Sequence, residues 1–237
     1  MELETKFSEI KNQVHHLEDR IHQALKPREP RWPAGVALLA VAGLNMALPS
    51  SLAVGGPRWL VLATVALLLV PTIIIYRKGN HHVVQMLGYI LNGVVTAALI
   101  GSLVLLVKAL PAHRLTPGQI LRSAAALWVS NILVFASWYW RLDGGGPHLR
   151  EQTVGHSDGA FLFPQMTMHP EVKAAAGEQD WEPNFVDYLF LAFNASTAFS
   201  PTDVPVLSRW AKALMMIQSL ISLLVIALLA ARAVNIL

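Results

Sequence analysis

The stretch Phe185–Asp203, FVDYLFLAFNASTAFSPTD, is apolar where it begins and polar and proline-broken where it ends. Pro183-Asn184 just before it reads as a helix start, with Asn184 as cap and Asp187 near the positive end of the helix dipole. A helix from there to about Thr197 rises only ~20 Å, short of a ~30 Å hydrocarbon core. Pro201 has no N–H to donate and stops a regular helix. From Pro205 the sequence resumes as VLSRWAKALMMIQSLISLLVIALLAARAVNIL, long enough to span with tilt. Half a helix, a break and a full helix predict a re-entrant segment. Non-helical backbone at membrane depth survives only when buried in protein or lining water.

The rest of the chain agrees with a membrane setting. Hydrophobic residues make up 54% and charged ones 14%, with a mean hydropathy of +0.47, against roughly 25% charge in soluble domains. The net charge of +3 is spread out, with no basic stripe and interleaved aromatics, so nucleic acid is not an expected partner. The absence of cysteine excludes disulfides, thiolate metal sites and a cysteine nucleophile. No cleavable signal peptide is expected from the charged N-terminus. HExxH, GxSxG, P-loop and dinucleotide motifs are all lacking, so neither an enzyme nor a cofactor is predicted.

Working outward, residues 1–31 read as a separate helix. Leu3, Phe7, Ile10, Val14, Leu17, Ile21 and Ala24 form a heptad seam, with charged residues outside it, and Lys26-Pro27 ends it. This predicts either an oligomerising coiled coil or an amphipathic helix on the membrane or on its own bundle. Residues 32–112 hold three predicted spans, Ala34–Val54, Trp59–Tyr76 and Val83–Leu110. In the third, Gly93, Ala97 and Gly101 form a small-residue stripe fit for close helix approach. Thr116-Pro117 then starts a fourth span, Gly118 to Trp140, whose closing SWYW reads as an interfacial aromatic belt. Residues 142–183 form a polar loop. Its His148, His156, His169, Asp158 and Glu171 lack metal-motif spacing and are expected as solvated loop residues. In the last helix Ala211, Met215, Gln218, Ser222 and Ile226 share one face, so Gln218 and Ser222 are expected to meet either a water-lined cavity or a partner helix.

The fold class predicted is all-α, a polytopic membrane protein with about five transmembrane helices, a re-entrant helix and the N-terminal coiled-coil helix. From Asp187 to Leu237 the chain resembles the pore region of tetrameric potassium channels. The order is an aromatic-rich pore helix (DYLFLAF), a threonine-led filter segment, an aspartate, a proline, and an inner helix beginning LSRWAK. It also resembles uncharacterised bacterial multi-spanning membrane proteins that share the FNxSTAFSPTD and LSRWAK patterns. The potassium-channel resemblance implies a pore-like module over 113–237, with Gly118–Trp140 as outer helix, 184–199 as pore helix, a filter-like loop over 197–205 and an inner helix over 206–237. Thr197, Ala198, Phe199, Ser200, Pro201, Thr202 and Asp203 would occupy the filter position, and Met215, Gln218, Ser222 and Ile226 would line the cavity.

Potassium filters stack carbonyl rings through glycines that adopt positive φ. TAFSPTD has no glycine and carries a proline, so side chains of Ser200, Thr202 and Asp203 are the expected ion ligands, and a ring of Asp203 would favour cations. Asp203 is open to a simpler role, capping the last helix or pairing with Arg209. The function expected is an oligomeric channel, a tetramer in a plasma membrane of bacterial inner-membrane type, passing small cations such as potassium or sodium. The alternative is a non-conducting scaffold or sensor whose coiled coil recruits partners. Lys26, Arg28, Arg31, Arg77, Lys78, Arg141, Arg150, Arg209 and Lys212 fall on one side and favour a cytoplasmic N-terminus. That orientation puts the re-entrant loop on the cytoplasmic face, opposite to potassium channels.

Overall fold

The computed structural model describes residues 29–110, 115–152, 159–179, 181–198 and 204–234. The heptad seam of Leu3, Phe7, Ile10, Val14, Leu17 and Ile21 lies outside the described residues, as do Phe199, Ser200, Pro201, Thr202 and Asp203. The long helices are α1 (Trp32–Ala47), α2 (Trp59–Arg77), α3 (His81–Ala109) and α4 (Pro117–Leu142). Short turns α5 (Pro147–Arg150), α6 (Pro164–Thr167) and α7 (Pro170–Ala175) follow, then α8 (Phe185–Thr197) and α9 (Arg209–Val234). The described structure is all-helical apart from one isolated antiparallel bridge between Phe161 and Val206.

Four helices, α2, α3, α4 and α9, are long and apolar enough to cross a membrane, which makes this a multi-pass membrane protein by length and composition. The expected first span is shorter than the sequence suggested. Leu48 leaves the helix for an extended conformation ahead of Pro49, as a residue preceding proline tends to. The 16 residues of α1 therefore rise ~24 Å. The predicted starts of α4 and α8 are both present. Thr116 Oγ1 accepts from Gln119 N at 3.3 Å while Gln119 Oε1 accepts from Thr116 N at 2.9 Å, a reciprocal cap. Asn184 and Asp187 do the same for α8, through Val186 N to Asn184 Oδ1 at 2.8 Å and Asn184 N to Asp187 Oδ2 at 2.8 Å.

Helix α4 is central, packing against α1, α3, α8 and α9. Its faces are accordingly buried over most of its length, from Ile120 to Arg141. By contrast α2 buries only Val61 and Val65 and leaves Leu67, Val70, Ile73 and Ile74 exposed. That is the composition of a lipid-facing helix, since lipid tails are as apolar as leucine. The small-residue stripe on α3 divides. A Cβ at Gly101 would lie 2.6 Å from Val54, so the backbone there is approached closely, whereas Gly93 has nothing within 4 Å.

Candidate functional site

The candidate site is the seam where α8 lies between α4 and α9. Both α8 and α9 start at one aromatic cluster. Phe161 packs edge-on against Tyr188 near the start of α8, at 6.2 Å, and against Trp210 at the start of α9, at 6.1 Å. This cluster is fixed to the end of α4 by Asp143, which is fully buried. Its Oδ2 accepts from Tyr188 Oη at 2.7 Å and its Oδ1 from Ala160 N at 2.5 Å. The backbone of 160–162 in turn holds 205–207, through Leu162 N to Pro205 O at 3.0 Å and Leu207 N to Ala160 O at 2.8 Å. Ser208 then caps α9, its Oγ accepting from Ala211 N at 3.3 Å.

From that common start the two helices run parallel, and their far contacts are polar. Gln218, fully buried, donates through Nε2 to Ala192 O at 2.6 Å and to Ser196 Oγ at 2.8 Å, and accepts through Oε1 from Tyr139 Oη at 2.5 Å. Ser222, also fully buried, donates to Ser196 O at 2.6 Å and accepts from Trp128 Nε1 at 3.0 Å. Ser219 donates to Ala195 O at 3.2 Å. Asn131 of α4 closes the network, donating to Gln218 O at 3.1 Å.

These bonds solve a specific problem. The last carbonyls of a helix have no intrahelical N–H partner, and in hydrocarbon each unsatisfied group is costly. At the end of α8, Asn194 O accepts from Ala198 N at 2.9 Å, while Ala195 O and Ser196 O are capped from outside by Ser219 and Ser222. Serines three apart on α9 therefore serve two successive carbonyls of α8. Thr197, at the first filter position, turns its hydroxyl back to Phe193 O at 2.9 Å, and Ala198 beside it is exposed. Of the cavity-lining set, Gln218 and Ser222 bond within the chain, while Met215 and Ile226 are half-buried. The opposite face of α8 stands open, with Val186, Phe190 and Phe193 exposed.

Sequence reading missed Tyr139, Asp143 and Asn131. Asn131 carried a signal, as a lone amide within an apolar span that has to find a partner. The closing aromatics of α4 are not the interfacial belt expected. Tyr139 and Trp140 are buried, and Trp140 Nε1 bonds to Glu29. Trp138 Nε1 donates to Thr96 Oγ1 at 2.9 Å. Inward-facing neighbours, which a run of aromatics does not reveal, satisfy their polar atoms.

Outside the spans, Arg150 ties the segment before α1 to the end of α4. It pairs with Glu29 at 3.0 Å and donates to the carbonyls of Trp140 and Asp143 at 2.7 Å each. Burial pushes the Glu29 carboxyl above the usual carboxylate range, against the opposing pull of Arg150 and Trp140. Partial burial, and then the nearby charges of His81 and Arg31, hold the His148 imidazole below its usual value. Of the loop histidines and acids, His156 and Asp158 lie outside the described residues. Among the described residues no three His, Asp or Glu side chains are grouped as for a metal.

No family model matches the chain, and no curated protein or solved structure shows significant similarity to it.

Proposed function

We propose that the chain is one subunit of an oligomeric pore-loop membrane protein, a homotetramer that passes small cations such as potassium or sodium across a bacterial-type plasma membrane. The carrying observation is that α8 and α9, consecutive in sequence, start at the same Phe161 cluster and run parallel. The connection between them, on this reading, runs back toward the start of α8, as a re-entrant loop does. On this reading residues 197–205 form the filter loop, with Ser200, Thr202 and Asp203 as ion ligands in place of glycine-borne carbonyls. Gln218 and Ser222 fix the pore helix, Met215 and Ile226 face the cavity, and the N-terminal helix bundles the subunits.

The exposed face of α8 supports an assembly. Val186, Phe190 and Phe193 are open in the single chain, on a 13-residue helix too short to span. One re-entrant loop cannot enclose a pore alone, so copies have to meet around it. On this reading the loop opens toward the end that carries Arg31, Arg77, Arg141 and Arg150, which under the positive-inside rule is the cytoplasmic end.

Reconstitution into liposomes with a cation-flux assay tests the proposal, comparing the parent with Asp203→Asn. Flux of potassium or sodium that Asp203→Asn reduces supports it, provided the chain is oligomeric in mild detergent. A monomer, or no flux of potassium, sodium or divalent ions, refutes it. A second reading, a non-conducting scaffold or sensor with α8 as a structural plug, draws on one observation. Gln218 and Ser222 complete their hydrogen bonds inside a single chain.

A further inference from the structure

A second polar cluster lies apart from α8, where the start of α3 meets the ends of α2 and α4. Arg141, in the last turn of α4, is 8% exposed. Its guanidinium lies against the backbone of α3 at Gly88, where an added Cβ would sit 1.7 Å from Nη1 and 2.2 Å from Cζ. Only a residue without a side chain leaves room for it there. No carboxylate pairs with Arg141 among the described residues, and its Nε is enclosed without a hydrogen-bond partner. The charge of another cation, Arg31, acts on it.

The surroundings hold further enclosed polar atoms without partners. Arg31 sits over the Tyr76 ring at 4.5 Å and pairs with Glu151 at 3.2 Å, yet its Nε is also enclosed and unbonded. His81, at the start of α3, stacks on His148 at 3.7 Å and keeps an unbonded buried Nδ1. Gln85 closes the side of the cluster, donating to Tyr89 Oη at 2.9 Å and to Gly145 O at 3.1 Å. Glu151 pairs with Arg31 through Oε2 and keeps an unbonded buried Oε1, and no ion pair joins it to Arg141 among the described residues. An enclosed, unpaired guanidinium is unfavourable unless something anionic meets it. The first turn of a 29-residue helix, α3, adds its own positive end.

We infer that Arg141, Arg31 and His81 form a binding site for an anionic phosphate group at the membrane surface. Arginine suits that ligand because its planar fork donates two parallel hydrogen bonds to phosphate oxygens. The phosphate is carried by an anionic lipid headgroup or is free in solution, and basic pockets between helix ends take headgroups in this way. The site is separate from the pore reading, since no hydrogen bond or ion pair joins Arg141, Arg31 or His81 to α8 or α9 among the described residues.

The test uses the full chain in neutral-detergent micelles, with the unfolding midpoint read by tryptophan fluorescence. Three additions are titrated separately: inorganic phosphate, dioleoyl phosphatidylglycerol, and dioleoyl phosphatidylcholine as the zwitterionic comparison. A saturable rise of the midpoint is expected with phosphatidylglycerol, phosphate or both, and exceeding any rise with phosphatidylcholine. Saturation by phosphate alone identifies a free anion, and saturation by phosphatidylglycerol alone identifies a headgroup. Arg141→Gln should weaken half-saturation about tenfold or more, the scale of one charge-assisted hydrogen bond. Arg77→Gln, an exposed charge at the same end, should leave it unchanged. Should Arg141→Gln fail to fold, Gly88→Ala retains every charge while filling the seat of the guanidinium, and should weaken binding too. No saturable rise in the parent, or an equal rise in Gly88→Ala and the parent, overturns the inference.

Discussion

Replacing Gln218 by leucine tests whether the half-helix is held from within the chain. The glutamine side chain makes three hydrogen bonds, to Tyr139, Ala192 and Ser196. Side-chain bonds between helices in a membrane average ~0.6 kcal/mol, so their loss amounts to about 2 kcal/mol. Tyr139, itself fully buried, is left with a hydroxyl lacking an acceptor, which adds ~1–2 kcal/mol. Leucine is close to glutamine in volume and leaves little cavity. The expected loss is therefore about 3–4 kcal/mol in all, at the upper end of what single substitutions cost. Unfolding of the purified chain in mixed micelles with increasing SDS, followed by tryptophan fluorescence, measures it. Tyr139→Phe alone should cost ~1 kcal/mol, and the double variant should lose less than the sum by about the same amount, because no hydroxyl is then orphaned. A loss under ~0.5 kcal/mol for Gln218→Leu, or strict additivity in the cycle, would refute an internal network and leave Gln218 facing outward.

Four other substitutions probe the remaining structure. Gly101→Ala should destabilise by ~1–3 kcal/mol through overpacking, since its Cβ would lie 2.6 Å from Val54, while Gly93→Ala, with nothing within 4 Å, should be near neutral; the same unfolding assay compares them. Asp143→Asn removes the carboxylate that accepts from Tyr188 and Ala160, and should cost ~2–3 kcal/mol, detectable also as loss of protease resistance in residues 159–207. Glu29 gives a pH signature. Its folded-state pKa is raised, so the stability it contributes is full below the unfolded value and is lost as pH rises through the folded one. The unfolding midpoint of the parent should fall over that interval, and Glu29→Gln should flatten that part of the curve.

Much of the fold was legible because hydrocarbon imposes simple length rules. The runs behind α2, α3, α4 and α9 are long and apolar, and the caps at Thr116 and Asn184 mark helix starts by chemistry alone. The early end of α1 is a local effect of Pro49 that an apolar run extending to Val54 concealed. What sequence could not give is which side of a helix faces protein. Trp138, Tyr139 and Trp140 have the composition of an interfacial belt, and only neighbours donated by α3, by Glu29 and by α9 turn them inward. The seat of Arg141 was equally hidden, since Gly88 and Arg141 lie 53 positions apart and nothing local links them.

The polar residues of α9 show why the half-helix was nonetheless readable. Thirteen residues is a marginal helix on its own, so its place depends on tertiary contacts. On the pore-loop reading it ends at apolar depth, where its C-terminal acceptors would need partners and water cannot be relied on. Gln218, Ser219 and Ser222 are the partners, on the face of α9 that meets Ala192, Ala195 and Ser196. The small residues of α8 let that face come close enough for serine hydroxyls, which are short, to reach the backbone. A spanning helix with satisfied ends outside the membrane has no such need, so the pore-loop reading would account for polar residues midway along α9. The same logic bears on the open side. Val186, Phe190 and Phe193 can lie against lipid or against a second copy, but the carbonyls beyond Ser196 cannot lie against lipid. On the proposed reading the exposed end at Ala198 meets water in a cavity or protein, and a ring of identical subunits would supply both.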